Sequence, residues 1–306
     1  VPGFDLFARH FYKNMLLTSG GISMVQTIMV IGAGQMGGGI AQVAAQAGYN
    51  VILNDIKDEF VQRGLGIIDK NLSRAVSKGK MEAAAKDAVL AKIKTSTSLD
   101  DAKDADLVVE AAIENMELKA NIFKTLDVVC KPEAILATNT SSLPITQIAA
   151  VTKRPDKVIG MHFFNPVPVM KLLEIIRGFM TSDETYNTIA EIGLKMGKVN
   201  VEVKDSPGFG SNRILLPMIN EAFFVLSEGL GTAEDIDNVM KFGMAHPMGP
   251  LALADLIGLD TCLNIMNVLY EGFKDSKYRP CPLLVKYVQS GLLGQKTGKG
   301  VYDYSK

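Results

Sequence analysis

Short apolar runs alternate along this chain with longer stretches whose apolar residues recur every three to four positions. The run at 28–31 reads as a strand, 35–47 as a helix and 50–54 as a second strand, which together make a βαβ unit. A long, charged, helix-favouring stretch follows from 57 to about 92. Strands then recur at 107–109, 135–138 and 158–161 with helical segments between them. Such alternation implies a mainly parallel sheet covered by helices on both faces. Two more strand candidates, 172–176 and 199–203, flank a helical stretch at 183–196 and extend the same sheet. Beyond Pro207-Gly208 every long apolar pattern is helical, at 214–227, 233–242, 255–273 and 283–290. The expected fold class is therefore α/β: a doubly wound, mainly parallel sheet over 24–208, then an all-helical domain over 209–306 suited to binding substrate and to dimerisation, although a packed monomeric interface would leave the same signature.

Composition narrows the class without naming a chemistry. A chain of 306 residues has room for two domains, and 47% hydrophobic with 21% charged residues is an ordinary globular balance. A net charge of −1 argues against a surface that tracks nucleic-acid phosphates. Cys130, Cys262 and Cys281 are odd in number and far apart, which supports neither a disulfide framework nor a thiolate metal site and fits a reducing, cytoplasmic setting. With three histidines (His10, His162 and His246) and no H-E-x-x-H, no metal is expected. Apolar stretches such as 252–259 are broken by Asp255 and Gly258 and fall short of the ~20 residues of a membrane helix, so no membrane span is expected. Residues 1–23, basic and rich in aromatics, stand outside this pattern. A targeting peptide, an upstream extension and a cloning remnant all account for them.

Gly32-Ala33-Gly34-Gln35-Met36-Gly37 is a complete G-x-G-x-x-G between a predicted strand and a predicted helix. The first glycine permits the tight turn, the second lets the backbone approach a pyrophosphate, and the third permits close helix packing. Amides at the helix start then bind phosphate. The expected sheet is thus of Rossmann type. Asp55 ends the second strand near the expected distance of roughly 20 residues, where an acid accepts from the adenosine ribose and repels a 2′-phosphate. NAD is the expected cofactor, with an exposed acid opening a loop as the lesser alternative for Asp55.

His162 ends a strand, on the side of an open α/β sheet where ligands bind. Farther along, Glu174 sits inside the apolar run Leu172-Leu173-Glu174-Ile175-Ile176, where a carboxylate needs a partner. If the 166–171 connection folds the two strands together, Glu174 can accept from one imidazole nitrogen and leave the other free for proton transfer. From the residues alone, that pairing and a purely structural histidine stand level. From the residues alone, a turn former is the favoured reading of Ser141 and a helix cap that of Asn212. Arg74 and Lys78, spaced i,i+4 on a predicted helix with Lys80 behind them, suit an acidic ligand, though such runs are usually solvated faces.

Taken in order, Thr138-Asn139-Thr140-Ser141-Ser142, His162-Phe163-Phe164-Asn165-Pro166, Lys171-Leu172-Leu173-Glu174, Pro207-Gly208-Phe209, Asn212-Arg213, His246-Pro247-Met248-Gly249-Pro250 and Gly298-Lys299-Gly300 join the glycine fingerprint. With these motifs the chain, from about Val25 to its end, resembles the L-3-hydroxyacyl-CoA dehydrogenases, most closely the short-chain bacterial 3-hydroxybutyryl-CoA dehydrogenases. The resemblance implies a soluble, NAD-dependent homo-oligomer acting on a coenzyme A thioester. It makes His162 the general base and Glu174 the acid paired with it, and has Ser141 and Asn212 hold the substrate oxygen and the histidine. Glu114, Lys119 and Asn139 become cofactor neighbours, and Arg74 with Lys78 face the adenosine phosphates of coenzyme A. Two departures stand out: Gly210-Ser211 replaces a bulkier pair before Asn212, and Ala252 stands where many relatives carry an acid. A dehydrogenase of a free 3-hydroxy acid and a non-catalytic dinucleotide-binding relative are the competing readings. Nucleotide-triphosphate hydrolysis is disfavoured because 294–300 lacks the P-loop spacing.

Overall fold

The computed structural model describes residues 25–305; the extension proposed for 1–23 lies outside the described residues. Eight strands form one sheet in the order β3-β2-β1-β4-β5-β6-β7-β8. Strands β1 (Thr27–Ile31), β2 (Asn50–Asn54), β3 (Ile93–Ser96), β4 (Leu107–Glu110), β5 (Ile135–Thr138) and β6 (Val158–Phe163) are mutually parallel, whereas β7 (Leu172–Arg177) runs antiparallel to β6 and β8 (Val199–Lys204) follows β7. Chain order reverses between β1 and β4, the switch point at which an open α/β sheet leaves a crevice.

Period-two alternation sends β1 side chains to both faces. Ile28 and Val30 join a core with helices α1 (Gln35–Gln46) and α2 (Asp58–Ser77), while Met29 and Ile31 join Phe123 and Leu126 on the opposite face. The latter two belong to α4 (Met116–Val129), which follows the short α3 (Ala83–Leu90); α5 (Ile145–Ala149) and α6 (Asp183–Lys195) complete the two covering layers. From α7 (Ser211–Ser227) onward the chain is helical: α8 (Ala233–Asn238), α9 (Pro250–Ile257), α10 (Leu259–Phe273) and α11 (Pro282–Gln289) enclose a third core around Phe223, Leu251 and Met266.

Three expectations from periodicity are corrected. The helical stretch over 57–92 is two helices, parted at Gly79, whose φ of +65° a helix cannot continue, and the chain then enters β3. That strand has the sequence Ile-Lys-Thr-Ser at the sheet edge, too short and polar to show an apolar period. The helix expected over 233–242 ends at Asn238 and passes into a π-helical turn at Val239–Gly243. The helix expected over 255–273 is α9 and α10, bent by 99° at Gly258, which has φ +101°. No single helix among the described residues is long and apolar enough to cross a membrane.

Gly258 holds a backbone conformation that side-chain-bearing residues rarely adopt, and a Cβ there would stand 3.1 Å from both Lys296 Nζ and Asp260 Oδ1. Gly258→Ala is expected to lower the unfolding free energy by about 1–3 kcal/mol. Urea denaturation reads this directly, and an unchanged midpoint would remove the strain argument.

Candidate active site

The turn after β1 lies at the switch point, and its glycines are there for space. Gly32 has φ +98°, and a Cβ on it would meet the Ala111 carbonyl oxygen at 2.6 Å, while one on Gly37 would meet the Gly32 carbonyl oxygen at 1.8 Å. Around Gly34 nothing lies within 4 Å, and α1 starts there without any side-chain cap. A close-packed turn, an open second glycine and uncapped amides fit the pyrophosphate of a dinucleotide. Asp55 Oδ2 accepts from Ala33 N at 2.8 Å and Oδ1 from Ile56 N at 2.7 Å, so the acid at the end of β2 holds the glycine-rich turn itself.

Beneath this turn a charged network runs from β4 to the loop after β5. Lys119 Nζ donates to Glu110 Oε1 at 2.7 Å and lies 3.6 Å from Glu114 Oε2, with Glu110 and Lys119 both buried. Thr138 Oγ1 also donates to Glu110, at 2.7 Å. Glu114 Oε1 accepts from the hydroxyl of Thr140 and from the amides of Ser141, at 2.9 Å, and Ser142, at 3.1 Å. Ser141 Oγ lies 3.2 Å from the same oxygen. Burial pushes the Glu114 carboxyl up; the Lys119 charge and these hydrogen bonds outweigh it and hold the group below the usual carboxylate range.

His162 and Glu174 are direct cross-strand partners in the β6–β7 ladder, and His162 Nδ1 lies 2.9 Å from Glu174 Oε2. The imidazole stands between Phe164, with ring centroids 4.6 Å apart, and Phe209, at 6.0 Å. Among the described residues its Nε2 makes no hydrogen bond. Glu174 is 2% exposed, and its remaining acceptor sites are filled from the start of α7: Gly210 N and Ser211 N donate to Oε1 at 2.8 and 2.9 Å, and Ser211 Oγ donates to Oε2 at 2.8 Å. Burial raises the Glu174 carboxyl, but the bonds from His162 and Ser211 prevail and hold it below the usual range. The 166–171 connection between the strands sits tightly on α1, since a Cβ on Gly39 would meet Val167 Cβ at 2.8 Å. From behind, buried Lys198 donates to the carbonyls of Val167 and Met170.

The residues singled out from sequence gather in linked groups. Gln35 Nε2 donates to Asn165 Oδ1 at 3.0 Å, joining the glycine-rich turn to the His162 strand, and Asn139 Oδ1 accepts from Phe163 N at 2.9 Å. Asn212 is no cap, because α7 begins after Gly210; its Nδ2 donates to the Ser141 carbonyl at 2.9 Å. Met36 and the glycines line the turn. Arg74 and Lys78 do not join this network. Arg74 lies roughly 24 Å along α2 from its first residue, Lys78 caps the end of that helix, and both are exposed. Sequence reasoning missed Glu110, Gly39, Lys198 and the part played by Ser211. Glu110 carried a signal, a carboxylate ending the wholly apolar Leu107-Val108-Val109, and Ser211 carried only its departure from the family pattern.

A depressed carboxyl links folding to pH. Glu174 titrates lower in the folded chain than in the unfolded one, so its stabilisation is fully present above the ordinary glutamate value of about 4.3 and is lost as pH falls through the folded value. The stability gap between the parent and Glu174→Gln is expected to be widest near about pH 7 and to narrow below about pH 4. Urea denaturation across that range measures it, and a gap independent of pH would contradict the assignment.

Known proteins are similar to this chain in sequence and fold. Residues 27–206 match the family described as 3-hydroxyacyl-CoA dehydrogenase, NAD binding domain, and residues 208–304 match the C-terminal domain of the same family. A probable 3-hydroxybutyryl-CoA dehydrogenase of Bacillus subtilis is 58% identical over 282 residues, covering 92% of this chain and 98% of the relative. The 3-hydroxybutyryl-CoA dehydrogenase of Bradyrhizobium diazoefficiens is 55% identical over 92% of this chain and 96% of its own. The crystal structure of the (S)-3-hydroxybutyryl-CoA dehydrogenase of Ralstonia eutropha superposes with a TM-score of 0.91 at 54% identity, over 92% of this chain and all of that one. With a dinucleotide turn at the switch point, NAD as its cofactor and both family domains matched in order, the chain belongs to the 3-hydroxyacyl-CoA dehydrogenase family.

Proposed function

We propose that this protein interconverts L-3-hydroxybutyryl-CoA and acetoacetyl-CoA, with His162 and Glu174 as its acid–base pair. The observation that carries the reading is the 2.9 Å bond between His162 Nδ1 and Glu174, which commits one ring nitrogen and leaves Nε2 for the proton. The relatives' names support the substrate. In this reading residues 24–208 hold the cofactor, and the helical domain at 209–306 completes the acyl site and contacts a second copy. The exposure of Leu230, Val239 and Phe242 supports that contact. Three free, buried cysteines fit a reducing cytoplasm.

NAD, when bound, supplies the hydride acceptor. During oxidation His162 Nε2 takes the proton of the 3-hydroxyl as C3 gives up its hydride, and in reduction the imidazolium returns it. Glu174 holds Nδ1–H in place and offsets the positive charge that forms on the ring. Ser141 and Asn212 orient the substrate oxygen, their positions set by Glu114 and by each other. Asn139 stands beside the nicotinamide site, and Glu114 and Lys119 border it. Asp55 keeps lone pairs for the adenosine ribose while its charge opposes a 2′-phosphate. Arg74 and Lys78 meet the adenosine phosphates of coenzyme A.

Acetoacetyl-CoA-dependent oxidation of NADH, run beside NADPH and free acetoacetate, tests the class. Turnover is expected with the thioester and NADH; turnover of the free acid would replace the substrate assignment. His162→Ala is expected to lose about 10²–10⁴-fold in kcat, and a variant within severalfold of the parent would sink the base assignment. Arg74→Ala and Lys78→Ala should each raise KM for the thioester, more at low than at high salt, with kcat nearly unchanged. A loss confined to kcat would place them elsewhere.

A further inference from the structure

We infer that Ser211 is a positioning residue for the acid–base pair, its hydroxyl fixing the carboxylate oxygen of Glu174 to which His162 is bonded. The inference rests on the proposed roles of His162 and Glu174. Glu174 Oε2 receives two donors, His162 Nδ1 at 2.9 Å and Ser211 Oγ at 2.8 Å, while Oε1 is held by the amides of Gly210 and Ser211. A glutamate held only by its own strand would swing about its side-chain torsions. Here hydrogen bonds to both oxygens set the carboxylate plane, and the bond to Ser211 comes from a rigid helix start. Gly210 eases the approach, since a Cβ at that position would stand 3.0 Å from Oε1 and 3.3 Å from Val203 Cγ2, so that a neighbour would have to give way. The pair Gly210-Ser211 thus acts together: the absent side chain lets the carboxylate come close, and the hydroxyl then holds it.

A hydroxyl placed on Oε2 also acts on the oxygen that matters to the imidazole. Among the described residues Oε2 has no other donor, so removing the hydroxyl leaves the His162 bond as the one hydrogen bond to that oxygen, with the carboxylate otherwise held only through Oε1. The effect belongs to the chemical step. Neither coenzyme A nor the dinucleotide is assigned a contact with Ser211, so KM for the thioester and binding of NADH should stay as they are.

The test is a double-mutant cycle with Glu174→Gln, assayed by steady-state reduction of acetoacetyl-CoA with NADH. Ser211→Ala is expected to lose about tenfold in kcat at unchanged KM, in line with loss of a hydrogen bond to a charged group. Ser211→Thr, which keeps the hydroxyl, should recover to within about twofold. In the Glu174→Gln background Ser211→Ala should cost less than about twofold, because the oxygen it positions no longer carries the charge. A kcat of Ser211→Ala equal to the parent's, or the same loss in both backgrounds, overturns the role of Ser211 while leaving His162 and Glu174 in place. Full activity of His162→Ala would remove the pair itself, and the inference with it.

Discussion

A carboxylate with almost no access to water must find its hydrogen bonds inside the protein, and that requirement at Glu174 organises the site. Its four donors come from two places: His162 on the neighbouring strand, and Gly210 and Ser211 at the first turn of α7. Meeting the requirement pulls the start of the helical half against the sheet. Phe209 is carried in with it and closes one side of the imidazole. The same demand recurs at Glu110, satisfied by Lys119 and Thr138, and at Glu114, which gathers the Thr140–Ser142 loop. Three acids, one inside β7, one at the end of β4 and one in the loop after it, each with its own donors, hold the segments around the crevice.

Between these acids runs a second set of bonds made by neutral amides. Asn212 reaches the Ser141 carbonyl, Asn139 reaches the backbone after His162, and Gln35 reaches Asn165. Each joins segments that lie at or beyond the ends of different strands, so the crevice is defined by cross-links and not by any one element. Gly39 and Lys198 then brace the 166–171 connection, one by close packing and the other by hydrogen bonds to its carbonyls.

Much of the sheet was legible because buried parallel strands are short apolar runs between helical periods, as in Val30, Val51 and Val109. Periodicity was blind where a glycine broke a helix without breaking its apolar spacing, as at Gly79 and Gly258, and at β3, whose position on the edge spares it an apolar pattern. The pairing of His162 with Glu174 was half legible: a glutamate in an apolar run announces a need for a partner but not which partner. The motif resemblance supplied that choice. Ser211 stood out as a departure from the family pattern, yet its use could not be read from sequence, because it depends on which way the first turn of α7 faces. Lys198 follows Gly197 just beyond α6, where a lysine ordinarily complements the helix dipole, so nothing marked it as buried.

The arrangement around Glu174 bears on how this fold can be recombined. By chain pattern the break between the two halves lies near Pro207-Gly208, which is where a modular exchange of the helical half would be cut. By hydrogen bonding the sheet half extends farther, since Gly210, Ser211 and Asn212 complete its carboxylate and its serine loop. A chimera joined at the proline would inherit a Glu174 furnished by a foreign helix start. One joined after Asn212 would carry the whole of its polar shell, and the seam would then fall in a helix, where continuity is easy to preserve.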